Sequence, residues 1–241
     1  MSPSVSSGHN PLIVALDRSD PDEAERLAQL LAASVGLLKV GLELFSAAGP
    51  DAVRRIARHA PVFLDAKLHD IPNTVGRAAA NLARLGVAML NVHALGGEAM
   101  VRAAVDGAAR GAAEANVEPP VILAVTVLSS LSGESLASPA SLAFESREAG
   151  ARGAVVSGDD VSVVRETMGE DFTLVVPGIR PSSSSLNDHA RVLTPEEALN
   201  AGADYLVVGR PVTDARDPVG AARSILAEIH WRGPDARSGP G

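Results

Sequence analysis

Within six consecutive residues of this chain, Asp65-Ala66-Lys67-Leu68-His69-Asp70, stand two carboxylates and an ammonium that could do chemistry together. They continue the apolar run Val62-Phe63-Leu64, which reads as a strand. Strand side chains alternate between faces, so Asp65 and Lys67 are expected on one face, about 7 Å apart along the strand. A carboxylate and an ammonium on an otherwise buried strand are costly unless paired. Asp70 adds a second carboxylate just past the strand, and Pro72 suits the first turn of a helix. An isolated Asp-x-Lys would read as a structural ion pair at a strand end. Three charges within six residues at a strand-to-helix junction read instead as a site.

Elements that could position such a site recur along the chain. Apolar runs at 12–17, 37–41, 62–67, 89–94, 121–128, 154–157, 173–177 and 205–209 are expected strands. Helices are expected between them. Asp20-Pro21-Asp22-Glu23 supplies an N-cap, a first-turn proline and a capping-box carboxylate, and Thr194-Pro195-Glu196-Glu197 repeats the pattern. Further helices are expected over 50–59, 72–85 (stopped by Gly86), up to 115, 139–152 and 160–168, and Asp217-Pro218 opens the last. Eight buried strands alternating with helices predict an α/β fold, a single-domain (β/α)8 TIM barrel over residues 11–231. A doubly wound open sheet is the alternative, weakened because no Gly-x-Gly-x-x-Gly follows the first strand. The Ser-, Gly- and Pro-rich ends, 1–10 and 232–241, are expected to be disordered tails.

In such a barrel the functional face is the carboxyl end of the strands. Polar residues of this chain gather there. Asp17 ends the first strand, Lys39 lies in the second, and Asp65 and Lys67 lie in the third. Ser129 and Ser130 follow the fifth, Arg180 the seventh, and Gly209-Arg210 the eighth. Each of the last two loops sets an Arg beside a Gly. Glycine admits backbone N–H groups to a ligand, and arginine grips phosphate oxygens in bidentate fashion. Two surface arginines in turns are the plainer reading. Phosphate binding is favoured because these loops form the usual phosphate site of such barrels. The Ser-rich stretch 181–189 is a lid or a linker.

Composition narrows the partners. The 241 residues carry a net charge of −8, which argues against a nucleic acid but leaves room for a small phosphate ester. Aromatic residues are only 2% of the chain, too few for base-stacking platforms, so the core must be aliphatic. The absence of cysteine excludes disulfides, thiolate metal sites and thiol nucleophiles. The six histidines show no zinc spacing, and His69 and His93 read as structural. Tyr205 and Trp231 read as packing residues. With no apolar signal core at the N-terminus and no membrane-length apolar run, a soluble cytoplasmic protein is expected, with no membrane partner.

The stretch Asp65 to Thr74 resembles the Asp-x-Lys-x-x-Asp-Ile-Pro-Asn-Thr signature of the orotidine 5′-phosphate decarboxylase family. Ala15-Leu16-Asp17, Leu38-Lys39-Val40-Gly41, Asn91-Val92-His93-Ala94, Pro177-Gly178-Ile179-Arg180-Pro181 and Val208-Gly209-Arg210-Pro211 agree in order, as does Val125 to Ser130. The resemblance runs from about residue 12 to 229. It implies a dimeric (β/α)8 barrel that converts orotidine 5′-monophosphate to UMP and CO2, with no metal and no organic cofactor. It makes Lys67 the proton donor to pyrimidine C6, within an alternating network of Lys39, Asp65, Lys67 and Asp70. Asp70 and Thr74 would reach the site of the partner subunit, and Ile71 is counted with them among the substrate-binding residues. Asp17 would hold ribose, Ser129 and Ser130 would lie near the pyrimidine, and Arg180, Gly209 and Arg210 would hold phosphate. The family often has Gln in the phosphate loop where counting from Arg180 places His189. Imidazole can donate the same hydrogen bond, whereas a different loop alignment would leave His189 a surface residue.

Two rivals stand beside this reading. One is a Mg²⁺-dependent 3-keto-gulonate 6-phosphate decarboxylase of the same superfamily, which shares Asp-x-Lys-x-x-Asp but uses an acidic metal ligand on strand two, where this chain has Lys39. The other is a non-catalytic nucleotide-binding barrel, which the intact Asp65, Lys67 and Asp70 oppose.

Overall fold

The strands are short, rich in Val, Leu and Ala, and mostly buried, as a parallel sheet covered on both faces requires. In the computed structural model, which describes residues 9–126, 137–181 and 193–231, the strands are β1 (Leu12–Ala15), β2 (Leu37–Val40), β3 (Val62–Leu68), β4 (Met89–His93), β5 (Val121–Val125), β6 (Gly153–Val155), β7 (Thr173–Pro177) and β8 (Tyr205–Val208). They pair in chain order, all parallel, and β8 returns to β1, closing a barrel. The predicted (β/α)8 architecture is what forms.

The helices among the described residues are α1 (Pro21–Leu31), α2 (Leu42–Ile56), α3 (Pro72–Ala83), α4 (Gly97–Ala115), α5 (Pro139–Glu148), α6 (Val161–Met168), α7 (Pro195–Asn200), α8 (Arg210–Thr213) and α9 (Pro218–Glu228). None is long and apolar enough to cross a membrane. Asp20 caps α1 as expected, its side chain accepting from the Asp22 N–H, but Glu23 turns to Arg18 instead of closing a capping box. At α7 both halves of the box form between Thr194 and Glu197. The helix expected over 50–59 does start at Pro50; α2 is two helical pieces that meet at Gly49, whose φ +59 and ψ −148 are not helical, and the piece from Leu42 is the one not expected. α5 stops at Glu148, four residues short of the expected end.

Alternation along the strands separates two cores. Residues such as Leu12, Val14, Leu38, Leu64 and Leu90 face outward and pack under the helices. Ile13, Leu37, Phe63, Met89, Leu123, Val175 and Val207 face inward and plug the barrel. Two residues further along β2, β3 and β4 the inward positions are Lys39, Asp65 and Asn91. The site therefore sits as a polar layer on an apolar plug.

His9 and Asn10, expected in the tail, are held against the amino-terminal end of the barrel. The His9 ring lies tilted against Tyr205 with centroids 4.8 Å apart, its Nε2 lies 3.2 Å from the Asp204 carbonyl, and its own carbonyl accepts from Trp231 Nε1 at 2.9 Å. Arg165, nearly buried, ties the start of β7 to that of β8 through the Asp204 carboxylate and the carbonyls of Phe172 and Gly202. Residues 1–8 and 232–241 lie outside the described residues.

Candidate active site

Lys39, Asp65 and Lys67 meet at the carboxyl mouth of the barrel. Nζ of Lys39 lies 3.2 Å from both Asp17 Oδ1 and Asp65 Oδ2, and Nζ of Lys67 donates to Asp65 Oδ1 at 2.5 Å. Lys39 and Asp65 are each 8% exposed, so neither charge could stand alone there. Burial pushes the Asp65 carboxyl up, but Lys39, Lys67 and Asn91 together outweigh it and hold the group below the ordinary carboxylate range. Asp65 is thus the ionised centre of an alternating chain, Asp17–Lys39–Asp65–Lys67.

Simple strand alternation does not bring Lys67 to Asp65. β3 pairs with β4 at Leu64 and again at Leu68, opposite Leu90 and Val92. Three residues of β3 thus lie opposite one residue of β4, a bulge. Within it Lys67 takes φ +47, a left-handed conformation uncommon for a residue with a side chain. Its N–H donates to Oδ1 of Asn91 at 2.7 Å, and Nδ2 of Asn91 donates to Asp65 Oδ1 at 2.7 Å. Among the described residues no buried side-chain nitrogen or oxygen is left without a partner.

Asp70 stands outside this network within its own chain. It is exposed, and its Oδ1 accepts from the N–H of Ile71 at 2.6 Å. Ile71 is 66% exposed, and Thr74, in the first turn of α3, is exposed as well. Arg180, half-buried after β7, and exposed Arg210 at the start of α8 lie on the same face of the barrel as the ion chain. Gly178 takes φ +78, the left-handed turn its loop needs. Ser129, Ser130, His189 and the stretch 182–189 lie outside the described residues.

A cavity opens beside the chain. Lys39, Asp65 and Lys67 line it together with Phe63, Val125, Val155 and Val207. The apolar wall lowers the local dielectric and strengthens every charge interaction inside. Ser157, two residues past β6, is a polar lining residue that the sequence reading missed. His93, at the end of β4, packs against His69 with ring centroids 5.1 Å apart. Burial, then His69 and Lys67, push its imidazole below its ordinary range, so the pair lends no fixed positive charge through His93.

Two further residues were given no role from the sequence. Arg18, next to Asp17, bonds Glu23 at 2.8 Å, Asp214 at 2.5 Å and the Thr213 carbonyl at 3.1 Å, and so ties the end of β1 to α8. Asn91 is a lone amide inside an apolar strand, and that contrast was the available signal. Among the described residues no three His, Asp or Glu side chains converge where a metal ion could be held.

Fold and site together define a class: a (β/α)8-barrel enzyme whose working groups are ammonium and carboxylate side chains at the carboxyl rim. Residues 10–225 match the orotidine 5′-phosphate decarboxylase / HUMPS family, and the chain belongs to it. It is 50% identical over 230 residues to an orotidine 5′-phosphate decarboxylase of Moorella thermoacetica, covering 90% of this chain and 91% of that one. A counterpart from Anaeromyxobacter dehalogenans is 51% identical over 229 residues, covering 90% and 97%. The crystal structure of orotidine 5′-phosphate decarboxylase from Lactobacillus acidophilus superposes with a TM-score of 0.78 at 38% identity, covering 91% of this chain and 99% of that one.

Proposed function

We infer that the protein decarboxylates orotidine 5′-monophosphate to UMP and CO2, the last step of de novo pyrimidine synthesis, in the cytoplasm. The observation that carries this reading is the buried chain Lys39–Asp65–Lys67 at the barrel mouth, in a member of this family. Loss of CO2 from pyrimidine C6 leaves an electron pair in an sp² orbital that the ring cannot readily delocalise. Nζ of Lys67 stabilises the developing charge and then protonates C6. Asp65 aligns that ammonium and Lys39 at once, being bonded to both. Asp17 holds ribose from the outer end of the chain. Arg180, Gly209 and Arg210 hold phosphate, whose binding energy orients a ring remote from it. Ser129 and Ser130 contact the pyrimidine and His189 the phosphate.

The site is completed by a second copy of the chain. Asp70 faces solvent here, not Lys67, and Ile71, Leu42 and Leu95 expose 53–66% of their surface on the same rim. In a homodimer these apolar residues are covered, and Asp70 and Thr74 enter the partner's cavity.

Purified protein should lower the ultraviolet absorbance of orotidine 5′-monophosphate at an undiminished rate after dialysis against EDTA. A rate lost to EDTA and restored by Mg²⁺ would favour the sugar-phosphate decarboxylase, and UMP binding without turnover would favour the non-catalytic barrel.

A further inference from the structure

We propose that Asn91 is the positioning residue of the proton donor: one planar amide holds the Asp65 carboxylate at one end and the Lys67 backbone at the other. The inference rests on the decarboxylase reading for its kinetic consequence and on geometry for its substance. Asn91 is fully buried at the inward position of β4 directly opposite the β3 bulge. Both ends of its amide are committed, Oδ1 to the Lys67 N–H and Nδ2 to Asp65 Oδ1, each at 2.7 Å.

This arrangement answers two needs of the bulge. The Lys67 N–H has left the ladder to β4, and a buried donor without a partner is costly. A left-handed lysine also needs outside support, because the conformation is disfavoured for a residue with a Cβ. Asn91 supplies both, in a side chain whose length fixes the spacing between Asp65 and the Lys67 backbone. The lysine side chain then closes the ring, with Nζ on the same Asp65 Oδ1 that Nδ2 of Asn91 holds. Asn91 is not among the residues lining the cavity, so it acts through Lys67 and Asp65.

The charged and titratable groups around this ring are Lys39 from β2, Asp65 and Lys67 from β3 and, further out, His93 from β4 and His69 beyond β3. A carboxyl introduced by Asn91→Asp would face the Asp65 carboxylate. Two carboxylates at hydrogen-bond distance cannot both stay ionised cheaply, so one takes a proton as the pH falls. The protonated form restores the amide pattern: one oxygen accepts from the Lys67 N–H, and the O–H donates to Asp65.

The test combines pH-resolved kinetics on orotidine 5′-monophosphate with amide hydrogen exchange at Lys67. In Asn91→Leu, kcat should fall by about 10²-fold, the cost of a donor misplaced by about 1 Å, while KM changes little. The Lys67 amide should exchange slowly in the wild type and fast in Asn91→Leu. Asn91→Asp should be equally impaired at pH 8, and its kcat relative to wild type should climb by up to about tenfold per pH unit on acidification. A parallel pH profile for Asn91→Asp, a loss confined to KM, or a Lys67 amide that exchanges no faster in Asn91→Leu would overturn the proposal. If Asn91→Leu fails to fold, the Asn91→Asp profile decides alone. If the wild type does not turn over orotidine 5′-monophosphate, the functional reading falls, and Lys67 exchange still decides the clamp.

Discussion

A methyl group on Gly41 would lie 2.8 Å from Nζ of Lys39 and 3.0 Å from Oδ1 of Asp17. The backbone there, φ −92 and ψ −177, suits any residue, so the constraint is space, not conformation. Gly41→Ala should push Lys39 away from its two carboxylates and lower kcat/KM by about tenfold or more. It should also act on acid stability. A carboxyl depressed in the folded state, as Asp65 is, stabilises the fold above its unfolded pKa, and that contribution is lost as pH falls through the folded value. Weakening the Lys39 contact raises the folded value, so the acid-unfolding midpoint of Gly41→Ala should move to higher pH. An unchanged midpoint and rate would mean that Lys39 finds another path around the methyl. At this scale the types and positions of Asp17, Lys39, Asp65 and Lys67 were legible as charges ending apolar runs. The Asn91 clamp was not, because it depends on a bulge that no glycine marks: the left-handed residue is the lysine itself.

Helix α3, which begins just after Asp70 and Ile71, is pressed onto α4 backbone to backbone. A Cβ on Gly107 would meet the Gly76 carbonyl oxygen at 2.0 Å, and one on Gly111 would meet that of Ala80 at 2.0 Å. Such contacts leave no slack for a side chain. Gly107→Ala should therefore destabilise the fold by about 1–3 kcal/mol through overpacking, despite alanine's better helix propensity, and thermal unfolding would show it. A melting temperature at or above wild type would show that the helices separate at no cost. Element identity was widely readable, since Pro at the first turn and Asp or Thr at the cap open α1, α7 and α9. Boundaries were read less well. Gly49-Pro50 reads as a helix start in sequence and is one, but the helical piece before it, from Leu42, carries no capping side chain to announce it. The close pairing of α3 with α4 went unread too, although Gly107 and Gly111 stand four apart on one face of α4, the spacing that lets two helix backbones approach.

The whole molecule sets the strongest test of a shared site. If two copies of the chain build each site, the Lys67→Ala and Asp70→Ala variants should each be nearly inactive alone. Co-expressed with random pairing, about half the dimers are hybrids, each with one site carrying both changes and one carrying neither. About a quarter of wild-type activity should return if sites act independently. Activity no higher than that of the separate variants, in a preparation shown to contain hybrids, would return Asp70 to its own barrel.

The hydrogen bond from Trp231 to the His9 carbonyl, 2.9 Å long, has a consequence for how the chain can be rewired. It brings together two points 222 residues apart in sequence, on the amino-terminal face, with the whole barrel between them and the ion chain. A short linker from 231 to 9 would make the chain a ring without moving a strand. New termini could then be cut on that face in a turn leading from a helix into the next strand, such as the one around Gly86 between α3 and β4. The strand order 1 to 8 is closed, so a circular permutant starting at β4 has the same neighbours as the native order. Every loop of the carboxyl rim stays unbroken in such a permutant, and so the barrel's choice of first strand is separable from its chemistry.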